Sequence, residues 1–289
     1  MDQRVITQDI IDLYDEFTHT TIQRRVFMQR LARLAGGTAA AAALVPLLQN
    51  NYAKAAIVAP DDNRLEIKRV MFKGASGDVK GYEVRPKNAQ KLPAVVIVHE
   101  NRGLNPHIED VARRIAIEGF VALAPDLLSQ IGGTPSNEEE ATQLIRKIDG
   151  AKTLGDGVAA VSYLKSHPSS TGKIGAIGFC WGGGMVNLIA ANSPDLIAAA
   201  PYYGDVPEIE NAKKVKAKML LHYASLDERI NKNADAWVNA LKAAGVDVQS
   251  HMYEGANHAF NNDTSPRYHE PSAKQAWSRT VEFFKKNLA

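Results

Sequence analysis

The stretch KIGAIGFCWGGGMVNLIAAN, Lys173 to Asn192, decides how this chain is read. An apolar run of strand length, "KIGAIGF", meets a lone cysteine, and "GGGMVNLIAAN" continues with helical character. Gly178-Phe179-Cys180-Trp181-Gly182 therefore sits on a sharp strand-to-helix elbow, with cysteine at its tip. Such an elbow needs small residues, because flanking side chains would collide with the neighbouring strand and helix. A thiol at a helix N-terminus gains from the helix dipole and free N–H groups, which favour the thiolate. The stretch matches neither G-x-G-x-x-G nor G-x-x-x-x-G-K-[ST], so it is not a nucleotide-binding turn. The competing reading of Cys180 is a small buried residue without chemistry.

Outward from the elbow, strands and helices alternate. "RLEIKRVMFKG" and "DVKGYEVRPK" read as a hairpin turning at Gly74 to Gly77. "PAVVIVHE" suits a strand buried on both faces. "HIEDVARRIAIEG" has helical spacing, "FVALAPDL" is a strand, and residues 126 to 137 are loop. Two helices follow, "NEEEATQLIRKID", with Asn137 as its N-cap, and "LGDGVAAVSYLKSH". Beyond the elbow come the strands "LIAAAPYYG" and "AKMLLHYA", the helix "NADAWVNALKAAG", the strand "VDVQSHMY" and a C-terminal helix. This order predicts one α/β domain over residues 60–289, a mostly parallel central sheet with helices on both faces.

A nucleophile needs a base, and the base an orienting carboxylate. Asp227 directly follows one apolar strand and His258 follows the last strand. Nucleophile, acid, histidine is the chain order of an α/β-hydrolase. Both partners fall beyond C-terminal strand ends, where open α/β sheets place their sites. Asp205 is the rival acid, one strand too early. His222 and His251 lie within strands and read as packing residues, His107 and His269 as surface residues, and His99 as closing a strand at the site edge. The loop "HENRGLN" carries Glu100 and Arg102 toward the same edge. The backbone N–H groups of Trp181 and Asn101 are the candidates for an oxyanion hole. Trp181, Tyr202 and Tyr203 could wall the pocket or pack in the core.

The chain has 289 residues, 45% hydrophobic and 23% charged, with net charge +2. This is globular composition without the basic footprint of a nucleic-acid binder. One cysteine excludes an internal disulfide, and no zinc-type cluster or cofactor fingerprint is present. Residues 1–55 stand apart. Arg24 and Arg25, then Phe27, an alanine-rich run and Ala53-Lys54-Ala55 resemble a twin-arginine export signal, which implies the twin-arginine machinery as a partner and a periplasmic protein. The alternative is an amphipathic helix that stays on a cytoplasmic protein. The run from Leu34 to Leu48 is too short for a stable membrane span.

Together, "HENRGLN", "FVALAPDLL", "GKIGAIGFCWGGG", "YYG", "LDERI" and "YEGANHAF" resemble the dienelactone hydrolase family, from about residue 65 to the C-terminus. The resemblance implies an α/β-hydrolase fold, no cofactor and a small ester or lactone as substrate. It implies that Glu100 contacts the resting thiol and is displaced by substrate, that Cys180 attacks the carbonyl, and that His258, oriented by Asp227, moves protons. Family members bind a substrate carboxylate with arginines, one of them shortly after the histidine. Here Asn262 stands at that place, leaving Arg229 and Arg267 as the candidates. Two other function classes use the same residues: a redox or electrophile-sensing thiol protein without hydrolysis, and a noncatalytic binding protein.

Overall fold

The computed structural model describes residues 6–52 and 56–289. The small-x-small motif at 53–55 lies outside the described residues. Strands β1 (Leu65–Gly74), β2 (Gly77–Pro86), β3 (Leu92–Val98), β4 (Val121–Pro125), β5 (Ser170–Phe179), β6 (Leu196–Tyr202), β7 (Lys218–Ala224) and β8 (Val248–Tyr253) form one sheet in the order β1-β2-β4-β3-β5-β6-β7-β8. The β1–β2 hairpin is antiparallel, and β2 meets β4 antiparallel; all other neighbours run parallel.

Alternation along the strands builds two cores. Val95 and Ile97 face α4 (Pro106–Ile117) and α9 (Glu270–Leu288), where Ile108, Val111 and Phe284 are fully buried. Ala94, Val96 and Val98 face the other layer, α6 (Gly150–Ser166), α7 (Trp181–Asn192) and α8 (Glu228–Ala243), with Val161, Val186 and Trp237. A side-chain period of two sends neighbouring residues to opposite layers, so a sheet covered twice needs continuous apolar runs.

Strand order reverses between β3 and β5: β4 lies on one side of β3, β5 through β8 on the other. Ligand crevices open at such a switch point, beyond the C-terminal strand ends. The loop after β3 and the elbow after β5 meet there.

Helix boundaries moved where a cap decides them. α8 begins at Glu228, five residues before the predicted start, because Asp227 accepts from the Ile230 N–H at 3.3 Å. α6 begins at Gly150, because Asp149 caps Ala151 and Lys152. Asn137 does cap α5 (Glu138–Ile145), accepting from Glu140 N–H at 3.0 Å. His107, expected at the surface, is buried and faces Asp263 at 3.0 Å; its helix turns that position inward.

Residues 6–52 form α1 (Gln8–His19), α2 (Arg24–Ala35) and α3 (Thr38–Leu48), with α2 and α3 bent by 108°. They share a small core of Ile10, Leu13, Tyr14, Phe27, Leu31, Leu44 and Leu48. Among the described residues no single helix is long and apolar enough to cross a membrane. The group sits on the C-terminal edge of the sheet. Asn101 Nδ2 donates to Thr18 O at 3.0 Å, Arg102 Nη2 to Tyr14 OH at 3.1 Å, and Asn51 N–H to Thr264 O at 2.8 Å. The Thr18 carbonyl, in the last turn of α1 with no intrahelical donor, is thus satisfied by the sheet domain.

The elbow fixes the close approach of α7 to the sheet. A Cβ on Gly182 would lie 2.5 Å from the Val98 carbonyl oxygen. Gly182→Ala is expected to destabilise the fold by about 1–3 kcal/mol, the usual cost of overpacking, read as a lowered urea midpoint at unchanged slope.

Candidate active site

Cys180 has φ 57° and ψ −121°, a conformation costing an L-residue roughly 1–3 kcal/mol. Its N–H donates to Tyr202 O at 3.0 Å, pinning the elbow to β6. Gly178 and Gly183 lack the side chains that would strike Gly182 and Tyr202 backbone atoms. Trp181 opens α7, where the first N–H groups have no intrahelical acceptor. Its ring stacks on His99 at 5.3 Å. His99 itself accepts from Leu127 N–H through Nε2 and donates through Nδ1 to Glu100 O, so both ring nitrogens are committed to holding the loop.

Asp227 and His258 are brought together by the loops after β7 and β8. Ser225 N–H donates to Tyr253 O and Leu226 N–H to Ala256 O, both at 3.0 Å. The Asp227 carboxylate, already capping α8, receives His258 Nδ1–H at 2.5 Å. His258 is buried, and its Nε2 has no hydrogen-bond partner among the described residues. Burial would disfavour the imidazolium, but the Asp227, Asp15 and Cys180 charges hold the His258 pKa well above its ordinary value. Asp205 lies elsewhere, paired with Arg229 at 2.9 Å.

The thiol's hydrogen-bond partner was not foreseen. His19 Nε2 lies 3.0 Å from Cys180 Sγ, and its ring meets that of His258 edge-on, centroids 4.6 Å apart. His19 Nδ1 bonds back to Asp15, at 2.8 Å to the carbonyl and 3.2 Å to the carboxylate. Asp15 in turn pairs with Arg267 at 2.7 Å and lies 3.7 Å from Arg229. The sequence carries a faint signal for this: "DEFTH" puts Asp15 and His19 one turn apart, opposite the apolar stripe of Ile10, Leu13 and Tyr14.

Among the described residues Glu100 makes no hydrogen bond to the thiol. Its carboxylate accepts from Asn262 Nδ2 at 2.8 Å, so the residue standing in the arginine position holds the glutamate instead. Arg102 is buried under α1, bonded to Tyr14 OH and 3.4 Å from Glu138. Asn101 is buried with its amide on Thr18. Tyr203 is fully buried with φ 36°, its ring 5.0 Å from His258 and its hydroxyl without a partner among the described residues. Tyr202 and His222 serve the core through Thr280.

Burial would raise the Cys180 pKa, yet the His19 and His258 charges lower it to about 6. Sγ and one ring nitrogen each of His19 and His258 lie within 4.8 Å of one another, as do one ligand atom each of Asp15, Asp227 and His258. These atoms are largely engaged with each other, in the pattern of a proton-transfer chain: thiol, imidazole, carboxylate. A cleft of about 460 Å³ between α1 and the loops after β7 and β8 reaches Asp15, Asp227 and His258, with Cys180 and His19 behind its wall.

A sheet with this switch point, a strained thiol elbow and a buried Asp–His pair defines an α/β-hydrolase fold. The chain belongs to the dienelactone hydrolase family, whose model matches residues 79–288, and it is a hydrolase. A second model, YqhI-like, matches residues 1–37. Relatives include a "Putative carboxymethylenebutenolidase" of Escherichia coli O157:H7, 31% identical over 82% of this chain and 95% of its own. Another so named, from Methylorubrum extorquens, is 30% identical over 95% of this chain and 96% of its own. The crystal structure of a putative dienelactone hydrolase from Klebsiella pneumoniae is 32% identical, with TM-score 0.71, covering 78% of this chain and 100% of that one.

The ion-pair geometry predicts a thiolate at neutral pH. Ultraviolet thiolate absorbance is expected to rise through a midpoint near 6, and that midpoint to climb toward the ordinary 9.0 in His19→Ala. A wild-type midpoint near 9.0 would contradict the charge balance described.

Proposed function

We propose that this protein hydrolyses a carboxylic ester or lactone, with Cys180 as nucleophile, His258 as base and Asp227 as the group that orients it. The observation that carries the reading is His258, held through Nδ1 by Asp227 at 2.5 Å, its Nε2 without a hydrogen-bond partner among the described residues, beside a thiol at a helix N-terminus. The thiolate attacks the carbonyl, and the oxyanion is taken up by N–H groups of Trp181 and Asn101. A thioester forms as the alcohol leaves, and His258 activates water to release the acid. Thiolate leaves a tetrahedral centre more readily than alkoxide does, so activated esters and enol lactones suit the site better than amides.

The relatives' printed names point to a carboxymethylenebutenolide-type lactone. The local charges favour a neutral acyl group. Arg267 is already neutralised by Asp15, and the cleft is further lined by Asp12, Glu16 and Glu228. A redox-sensing role fits less well, because sensor thiols are accessible and Cys180 lies buried behind His19. The contacts of α1 with Asn101, Arg102 and Arg267 support retention of residues 6–52 on a cytoplasmic protein over their removal as an export signal.

Turnover of p-nitrophenyl acetate is expected in the wild type. Cys180→Ala is expected to reduce kcat by at least about 10³-fold, and Asp227→Asn by about 10²–10⁴-fold through the wrong imidazole tautomer. Undiminished turnover in Cys180→Ala would sink the mechanism.

A further inference from the structure

Two carboxylate–imidazole pairs converge on one sulfur. Asp227 holds His258 from the sheet domain, and Asp15 holds His19 from α1. Asp15 is itself fixed from the far side by Arg267 and Arg229. The two pairs are not equivalent. His19 Nε2 is on Sγ at 3.0 Å, whereas His258 Nε2 has no hydrogen-bond partner among the described residues. A segment that merely blocked the nucleophile would need only bulk over the thiol. This one delivers an oriented imidazole whose second nitrogen bonds the Asp15 carbonyl at 2.8 Å with the Asp15 carboxylate 3.2 Å away, so that ring is oriented and its charge balanced as a catalytic histidine's is.

We propose that His19 is a second catalytic histidine, contributed by the N-terminal helix, which donates the proton to the leaving alcohol while His258 serves the hydrolytic water. The proposal rests on Cys180 being the nucleophile. At rest the thiol proton is on His19 and the sulfur is thiolate. In the first half, the S–C bond forms and the carbonyl π pair moves to oxygen. The tetrahedral centre collapses, the C–O bond breaks, and the alkoxide takes the proton from His19 Nε2. In the second half, water attacks the thioester and gives a proton to His258 Nε2. Collapse then breaks the C–S bond, releasing the carboxylic acid and the thiolate. Transfer of the proton from His258 back to His19, across rings 4.6 Å apart, restores the resting state.

The charged groups facing His19 agree with this cycle. Asp15 and the Cys180 thiolate favour its imidazolium, and its pKa is raised although burial opposes it. His258 is neutral at rest in this cycle and becomes the neighbouring cation only once water has given it a proton, when Asp227 balances it; Arg267 and Arg229 lie behind Asp15. The YqhI-like match spans both Asp15 and His19.

A proton donor to the leaving group matters in proportion to how poor that group is. The test uses the full chain, with p-nitrophenyl acetate and ethyl acetate as probes. His19→Ala and His19→Gln are expected to lose about 10²–10⁴-fold in kcat on ethyl acetate and about tenfold or less on p-nitrophenyl acetate. His19→Gln keeps a hydrogen-bonding side chain, so a matching split there, at wild-type thermal stability, separates proton donation from undocking of α1. Equal losses on both esters, or faster turnover of either ester, would overturn the proposal, the latter marking α1 as a plug. Full activity in a mature protein whose intact mass lacks residues 1–55 would overturn it as well. Turnover surviving in Cys180→Ala instead removes the nucleophile reading beneath it.

Discussion

Gly182 lies against the carbonyl ends of β3, and most of the site follows from that contact. With no Cβ in the way, the first turn of α7 can sit directly over the sheet edge. Cys180 is then forced to φ 57°, at the point where the loop after β3 comes closest. The strain is local and is offset by the two apolar layers that cover the sheet. Asp227 illustrates the same economy of position: one carboxylate ends a strand loop, caps α8 and orients His258.

The second constraint is charge in a dry place. Burial disfavours every ionised group in the cluster, so each is held only with its neighbours. The thiol near 6, the two raised histidines and the lowered Asp15 are facets of one network. Removing α1 would expose Arg267 and Arg229 and leave the sulfur with one imidazole. The N-terminal helices are therefore part of the electrostatics of the site, besides packing on it.

The order of strands and helices was readable because the sheet is buried on both faces, which writes continuous apolar runs into the chain. The placement of Cys180, Asp227 and His258 beyond successive strand ends was readable because it follows from the fold's strand order. The start of α8 was missed because a polar first turn, "ERINK", hides a helix whose cap is Asp227. His107 was misplaced because one histidine on an amphipathic helix does not reveal which way its helix is turned. Glu100 was expected on the thiol, yet its carboxylate is bonded by Asn262, a contact between residues 162 positions apart.

By itself the sequence determined the fold class, the elbow and which residues could form a nucleophile, acid and base. These are matters of period, local sterics and strand order, all carried by neighbours in the chain. Only the tertiary structure decided what touches the sulfur. His19 lies 161 positions from Cys180 and belongs to a segment whose arginines and alanines read as an export signal. No local pattern states that its helix docks on the far end of the sheet. That is settled by where its apolar face, the unpaired Thr18 carbonyl and the Asp15 carboxylate all find partners at once.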